Sequence, residues 1–367
     1  MRFFSKVNCL KISCLFTLFV VSSLYANPGV FDSTIPVVDM RDFDNPQTRE
    51  KFVQQVSDAL HEVGFFAVVN PGVDIRALEN GYAASKHFFS QSVEKKKMIN
   101  DPATSGERGY TQSEIAQGQS QKDYKEFIHI GRNRNLWPDW MDLQHPMEEL
   151  IKNINHHGRK LQQAFALAIG EREDFFTSAT EEGESLLRAL FYPKNPAPGQ
   201  FWSAVHTDIG LFTILPMATE EGLQVFHRGE WIDVRIPPEA FIINGGDQLE
   251  NITNGYFKSA KHRVVSKPDV ERYSMVYFVH GGADHDVSPL ARCIEMTGGV
   301  QSFPNAKRLD LLAHRLVELG LADEWLTQYD ADSGLMQKVT ALVKSGNAAP
   351  PVQKTFDLWK EVSMRTL

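Results

Sequence analysis

Residues 206–215 read HTDIGLFTIL, a stretch that joins an imidazole and a carboxylate to an apolar run. His206 and Asp208 are two positions apart, and residues at i and i+2 of an extended strand project from the same face. We therefore predict that one short strand directs an imidazole and a carboxylate to a single point. His262 lies much later in the chain and can supply a third ligand only if the fold brings it back to His206 and Asp208.

Two histidines and one carboxylate are a known ligand set for iron. On one face of a metal, His206, Asp208 and His262 would form the facial triad of non-haem Fe(II) oxygenases, which leaves coordination positions open. Two neutral imidazoles and one carboxylate leave Fe(II) with a net positive charge, which favours an anionic chelator. Singly, each residue is more typical of a structural polar side chain, but together they predict a metal site.

Arg272 and Ser274 form a second pair at i and i+2. This spacing again places both side chains on one face of a predicted strand. A guanidinium fork can donate two parallel hydrogen bonds to a carboxylate, and a hydroxyl can add a third. The pair is therefore a candidate anchor for the far carboxylate of a dicarboxylic acid.

The second half of the chain alternates short apolar runs with turn residues. Runs of this length, separated by Gly, Pro, Asn and Asp, are typical of an antiparallel jelly roll, also called a double-stranded β-helix. Helical periodicity occurs on both sides of this region, so we predict a mainly β fold with flanking helices. The predicted strands are 212–215, 223–226, 231–234, 241–243, 262–265 and 273–279, and the predicted helices include 49–63, 75–89 and 147–169.

Several of these blocks together resemble a known family. HTDIGLFTIL, GLQVFHRGEWIDV, GDQLENITNGYFKSAKHRVV and RYS, in this order, are similar to the 2-oxoglutarate/Fe(II)-dependent oxygenases of the isopenicillin N synthase-like family, over residues 187–279. A lone H-x-D motif would be weak evidence, but the ordered combination is specific. The resemblance implies an enzyme that uses Fe(II), 2-oxoglutarate and O2 to hydroxylate or desaturate a small molecule, with release of succinate and CO2.

The resemblance also suggests roles for single residues. Tyr192 occupies the position whose hydroxyl commonly contacts 2-oxoglutarate in the family, and we expect it to bind the co-substrate with Arg272 and Ser274. Leu190 stands where relatives often have asparagine, which removes one polar contact. Asp208 supplies a carboxylate where related halogenases have a small residue, so we expect oxygenation or desaturation and no chlorination.

Three other functions remain open on sequence grounds. One is an oxidase like isopenicillin N synthase, which needs no keto acid and uses R-x-S for its own substrate. Another is the ethylene- and succinate-forming type, which cleaves 2-oxoglutarate itself. The last is a metal-binding scaffold without activity, against which the complete triad argues.

Composition excludes several other functions. The formal net charge of −8 argues against non-specific nucleic-acid binding, and no GxxxxGK[ST] phosphate loop is present. Two of the three cysteines lie in the first 14 residues, and nothing has zinc-type Cys spacing. We expect a monomer whose partner is a small-molecule substrate, with no stable membrane span in the mature chain.

Residues 1–26 have the pattern of an export signal. Three basic residues precede a mostly apolar segment that is short for a membrane-spanning helix. Export to the periplasm or outside the cell conflicts with a chemistry that relatives carry out inside cells, so the location stays open. The remaining regions are an N-terminal oxygenase region at 34–150, a catalytic jelly roll at 184–283 and a helical extension at 300–367.

Two further segments have alternative interpretations. Arg108-Gly109-Tyr110 resembles a family segment near the substrate entrance, but Arg108 paired to a carboxylate and Tyr110 packed in the core would equally be scaffold. The stretch HGGADHD at 280–286 holds two histidines and two aspartates that could imitate a second metal site. Its glycines and its place after a strand favour a solvent loop.

Overall fold

The computed structural model describes residues 33–100, 108–114, 121–318, 322 and 324–365, with side chains as far as residue 360. The predicted signal peptide at 1–26 lies outside the described residues. Within these ranges, no helix is both long and apolar enough to cross a membrane.

Two β-sheets face each other around the centre of the molecule. The large sheet has eight strands in the order β1-β2-β10-β7-β12-β5-β4-β3, and the small sheet has four in the order β6-β11-β8-β9. This arrangement confirms the predicted jelly-roll core. The strands are β1 Val37–Asp39, β2 Phe65–Val69, β3 Gly109–Gln112, β4 Glu126–Ile130, β5 Leu186–Tyr192, β6 Ser203–His206, β7 Phe212–Leu215, β8 Leu223–His227, β9 Glu230–Asp233, β10 Phe241–Gly245, β11 His262–Val264 and β12 Arg272–Val279.

Helices cover the outer face of the large sheet and follow it at the C-terminal end. The predicted helix at 75–89 is confirmed, and those at 49–63 and 147–169 differ by a few residues at their ends. The helices are α1 Arg41–Asp44, α2 Arg49–Glu62, α3 Ile75–Phe89, α4 Val93–Lys97, α5 Gln144–Ala168, α6 Phe175–Glu181, α7 Asp247–Ile252, α8 Ala291–Met296, α9 Arg308–Glu318, α10 Glu324–Asp332, α11 Leu335–Ser345 and α12 Pro350–Arg365.

Strand β2 shows how the two layers of the core are built. Its side chains alternate, so Phe66 and Val68 pack in the cluster under the helices, while Phe65 and Ala67 pack in the cluster between the sheets. Both faces are buried, which explains the continuous apolar sequence of this strand. Burying each large apolar side chain contributes about 1.5–3 kcal/mol to folding.

The longest strand pairing fixes the inner wall of the barrel. β12 and β5 are antiparallel, with Arg272 opposite Tyr192 and Ser274 opposite Leu190. β12 also pairs with β7, where Phe278 lies opposite Thr213. The side chains at every second position of these strands therefore line the space between the sheets.

Candidate active site

The two histidines of the predicted triad come from neighbouring strands of the small sheet. His206 is the last residue of β6, His262 is the first residue of β11, and the two lie opposite each other in the register. Their ring centroids are 4.2 Å apart. The fold thus returns His262 to His206, as the sequence required.

Asp208 reaches the histidines by a different route from the predicted one. β6 ends at His206, so the expectation that one strand carries both residues is wrong for Asp208, which lies in the following loop. The loop is held by hydrogen bonds. The Asp247 N–H donates to the Asp208 carbonyl (2.8 Å), and the hydroxyl of Thr213 and the amide of Asn244 donate to Asp208 Oδ2 (2.6 and 2.7 Å).

The ligand atoms of the three residues converge without bonding to one another. Asp208 Oδ1 is 3.9 Å from His206 Nε2 and 3.8 Å from His262 Nε2, which is beyond hydrogen-bond distance. The potential ligand atoms of all three residues lie within 4.8 Å of one another. Asp208 and His262 are buried, while His206 keeps a third of its side chain accessible.

Backbone contacts orient both imidazoles. His206 Nδ1 is 2.7 Å from the Ala204 carbonyl, and His262 Nδ1 is 3.1 Å from the Ala260 carbonyl. A carbonyl oxygen only accepts, so each Nδ1 carries the proton and each Nε2 presents its lone pair. This is the tautomer that a metal ligand requires.

The protonation states also suit a cation. Burial, and then repulsion from His262, lower the pKa of His206 to about 3, so its imidazole is neutral at neutral pH. Burial alone would raise the pKa of Asp208, but the two imidazoles and the hydrogen bonds from Thr213 and Asn244 hold it below its usual value. The set therefore offers a neutral imidazole at His206 and an ionised carboxylate at Asp208.

The predicted co-substrate residues lie together on the large sheet. Arg272 is buried, and its guanidinium carbon is 5.0 Å from the centre of the Tyr192 ring. Its Nε donates to the Glu220 carbonyl (2.8 Å), whereas its buried Nη1 has no hydrogen-bond partner. Ser274 is also buried, and its hydroxyl makes no hydrogen bond to the part of the chain that the structure describes.

A buried hydrogen-bond donor without a partner destabilises the folded protein by roughly 1–3 kcal/mol. The unpartnered Nη1 of Arg272 therefore requires an explanation. A bound carboxylate would satisfy Nη1, and the neighbouring Ser274 hydroxyl could donate to the same group. The residues therefore fit an anionic co-substrate at Arg272 and Ser274, and a divalent metal at His206, Asp208 and His262. Leu190, opposite Ser274, adds no polar contact.

Sequence reasoning missed a charged group on the same wall. Arg188 projects inward from β5 two positions before Leu190, and its Nε donates to His129 Nε2 (2.6 Å) while its Nη1 donates to Glu114 (2.9 Å). The Lys125 Nζ lies 2.6 Å from the Glu114 carboxylate and 2.9 Å from the Asp123 carboxylate. The inward position of Arg188 could have been inferred from its i, i+2 spacing to Leu190.

The contacts of the two segments with alternative interpretations support one interpretation for each. Arg108 bonds Glu184 (3.0 Å) and the Asn133 carbonyl, and Tyr110 is fully buried with its hydroxyl bonded to Glu126, which supports the scaffold interpretation. In the stretch 280–286, the expected solvent loop is wrong for His280, which is buried because it continues the inward face of β12 after Phe278. Burial lowers the pKa of His280 to about 3.

Comparison with known proteins agrees with this site. The family described as "non-haem dioxygenase in morphine synthesis N-terminal" matches residues 35–157, and the "2OG-Fe(II) oxygenase superfamily" matches residues 183–281. The 2-oxoglutarate-dependent dioxygenase traH of Penicillium crustosum is 31% identical over 281 residues, which cover 69% of this chain and 86% of the relative.

Solved structures show the same similarity. A 2OG-Fe(II) oxygenase family protein from Caulobacter crescentus is 30% identical with a TM-score of 0.71, covering 78% of this chain and 99% of that one. JOX2 in complex with 2OG, Fe and JA is 27% identical with a TM-score of 0.68, covering 77% of this chain and 84% of that one.

The jelly roll and its convergent His, Asp and His side chains define a metal-dependent oxygenase. The chain belongs to the 2-oxoglutarate/Fe(II)-dependent oxygenases, within the isopenicillin N synthase-like superfamily. It is a 2-oxoglutarate-dependent dioxygenase, with Fe(II) and 2-oxoglutarate as cofactor and co-substrate.

Proposed function

We propose that His206, Asp208 and His262 are the iron ligands of this enzyme. The convergence of His206 Nε2, His262 Nε2 and Asp208 Oδ1, with none of the three bonded to another, is the observation that carries the proposal. Thr213 and Asn244 hold the other carboxylate oxygen, and this leaves Oδ1 directed at the metal position.

We further propose that Arg272, Ser274 and Tyr192 hold the distal carboxylate of 2-oxoglutarate. The unpartnered Nη1 of Arg272 supplies a charge-assisted donor in a buried site, where such a bond is strongest. Tyr192 contributes its ring beneath the guanidinium, and its hydroxyl is available for a second contact.

The chain's own residues then determine the reaction. When bound, Fe(II) with 2-oxoglutarate and O2 supplies the oxidising power, and succinate and CO2 leave. Arg272 would hold the distal carboxylate of the keto acid, and His206, Asp208 and His262 would hold the metal. Because Asp208 occupies the ligand position that a halide would need, the expected outcome is hydroxylation or desaturation of a small molecule, without chlorination.

The assignment is tested with His206→Ala, Asp208→Ala and His262→Ala. We expect each variant to retain the far-UV circular dichroism of the wild type and to lose stoichiometric iron and keto-acid-dependent succinate formation. His227→Ala, at the end of β8, is the matched control and should retain both. Full iron content in any of the three triad variants would overturn the assignment.

We also propose the regional organisation of the chain, its oligomeric state and the role of its first residues. Residues 34–150 form the N-terminal oxygenase region, 184–283 the catalytic jelly roll and 300–367 a helical extension, and the enzyme is a monomer. We propose that residues 1–26 are a cleaved export signal. Amino-terminal sequencing from the native host and sedimentation of the purified enzyme test these two points, and a start at Met1 or a dimer would contradict them.

A further inference from the structure

The C-terminal extension reaches the segment that carries two of the proposed iron ligands. Arg315 lies in the last turn of α9, and its Nη2 donates to Asp247 Oδ2 at 2.9 Å. The same Nη2 is 3.5 Å from the Thr207 hydroxyl oxygen. Thr207 lies between His206 and Asp208 in the chain, so one side chain of the extension contacts the segment that holds both.

Asp247 connects this ion pair to the backbone of the metal centre. Its N–H donates to the Asp208 carbonyl (2.8 Å), and its Oδ2 accepts from the Thr207 hydroxyl (3.3 Å). Its other carboxylate oxygen, Oδ1, accepts from the Ser259 hydroxyl (2.7 Å). The side chain of Asp247 therefore joins the segment of His206 and Asp208 to a second segment that contains Ser259.

The bond to Ser259 extends this link to the third ligand. Ser259 precedes Ala260, whose carbonyl is 3.1 Å from Nδ1 of His262 and orients that ring. A movement of the Asp247 carboxylate would thus reach His262 through Ser259 and Ala260. It would reach the other two ligands through Thr207.

The position of the Asp247 carboxylate depends on Arg315. Among the described residues, Arg315 is the one cation within ion-pair distance of Asp247. The side chains of Arg315 and Asp247 are only 22% and 23% accessible, so water and salt screen the pair poorly. Without Arg315, Asp247 would keep a charge in a partly buried site without its partner, which favours reorientation towards solvent.

From these contacts we propose that Arg315 is a positioning residue for the metal centre. It acts through Asp247, because the ion pair fixes the carboxylate and the carboxylate fixes the segments that carry His206, Asp208 and His262. The helical extension is therefore part of the catalytic unit, although none of the proposed ligands comes from it. The inference rests on the proposed iron site, since it concerns how the ligands of that site are held.

The test measures metal binding to the full chain without oxygen, so no turnover is needed. Arg315→Met removes the charge and both contacts, and we expect Fe(II) to bind about tenfold more weakly, the lower end of the effect of losing an outer-shell partner. Co(II) alone, as a second probe, should show shifted visible bands, because these depend on coordination geometry. Arg315→Lys keeps the charge but loses the fork, and should be intermediate in both measurements.

A double-mutant cycle tests the route through Asp247. Asp247→Asn removes the same ion pair from the other side and should also weaken Fe(II) binding. Combined with Arg315→Met, it should add little further loss, because both changes break one link. If the two losses in affinity multiply instead, Arg315 acts independently of Asp247 and the proposal is wrong.

A charge control separates positioning from long-range electrostatics. Lys354 on α12 carries a positive charge near Asp247 and forms no ion pair with it among the described residues. Loss of a nearby positive charge favours a bound cation, so Lys354→Met should bind Fe(II) at least as tightly as the wild type. The loss of affinity expected for Arg315→Met has the opposite sign and therefore reports geometry.

A stability control uses the residue next to Arg315. His314 contacts Asp330 and Glu318, so His314→Gln should destabilise the packing of α9 on α10 while the Kd for Fe(II) stays at the wild-type value. If His314→Gln or Lys354→Met weakens Fe(II) binding as much as Arg315→Met, the specific role of Arg315 is excluded.

The outcomes distinguish this inference from the proposed function. If the wild type binds no Fe(II), or the triad variants retain it, the proposed site itself fails. If the site holds but Arg315→Met has the wild-type Kd for Fe(II) or the wild-type Co(II) spectrum, only the role of Arg315 is overturned. Should Arg315→Met not fold, Arg315→Gln is measured in its place against the same two criteria.

Discussion

The Thr213 hydroxyl donates a 2.6 Å hydrogen bond to Asp208 Oδ2, and both side chains are buried. The bond leaves Oδ1 directed at the two histidine nitrogens. We predict that Thr213→Val weakens metal binding by about 10- to 100-fold, the usual effect of losing a partner of a metal ligand. Thr213→Ser keeps the hydroxyl and should bind as the wild type does. Anaerobic titration with Fe(II) measures both, and equal affinity of Thr213→Val and wild type would contradict the role of Thr213.

Arg272 gives a prediction for the co-substrate. Arg272→Ala should weaken 2-oxoglutarate binding about a hundredfold or more, because a charge-assisted bond is lost and a carboxylate is left unpaired in a buried site. Arg272→Lys should be intermediate, and Ser274→Ala should cost about tenfold. Calorimetric titration of each Fe(II)-loaded variant measures the Kd. If Arg272→Ala left the Kd unchanged, the arginine would serve the prime substrate instead.

Much of this site followed from sequence, because it depended on strand position. The runs at 212–215 and 223–226 became β7 and β8, and the paired positions Arg272 and Ser274 share the inner face of β12. The position of Asp208 in a loop could not be predicted in this way, since it is set by hydrogen bonds from Thr213 and Asn244 on other strands. Contacts of this kind depend on the register between strands, which local periodicity does not reveal.

The same limit explains the other differences. The bond between Arg188 and His129 exists because β4 and β5 pair with these two residues opposite each other. His280 looked like part of a polar loop, yet it is buried because the inward face of β12 extends one step past Val279. The sequence around a polar residue beside glycines does not indicate whether its side chain will point into the core or towards solvent.

The C-terminal helices should give the enzyme a pH-dependent stability. His314 on α9 is buried, with Nδ1 3.2 Å from Asp330 on α10 and Nε2 3.5 Å from Glu318. Burial alone would lower its pKa, but the two carboxylates raise it to about 9. Because the folded pKa lies above the ordinary value of 6.5, this stabilisation is complete below about pH 6.5 and is lost as pH rises through about 9.

The change in unfolding free energy over this range should be on the order of 2–3 kcal/mol. Urea unfolding at pH 6.5, 8 and 9.5 measures it in the wild type, with His314→Gln as the comparison. The variant should be less stable at the lowest pH and should lose less stability on going to the highest. Parallel pH profiles of the two proteins would show that His314 does not carry the effect.

The central claim is that His206, Asp208 and His262 bind an iron that 2-oxoglutarate then chelates. It is tested most directly by adding Fe(II) without oxygen, with and without 2-oxoglutarate, and recording the visible spectrum of wild type and His262→Ala. We predict a charge-transfer band in the wild type only when both Fe(II) and 2-oxoglutarate are present, and no band in His262→Ala. A band of full intensity in that variant, or none in the wild type with both components present, would contradict the account.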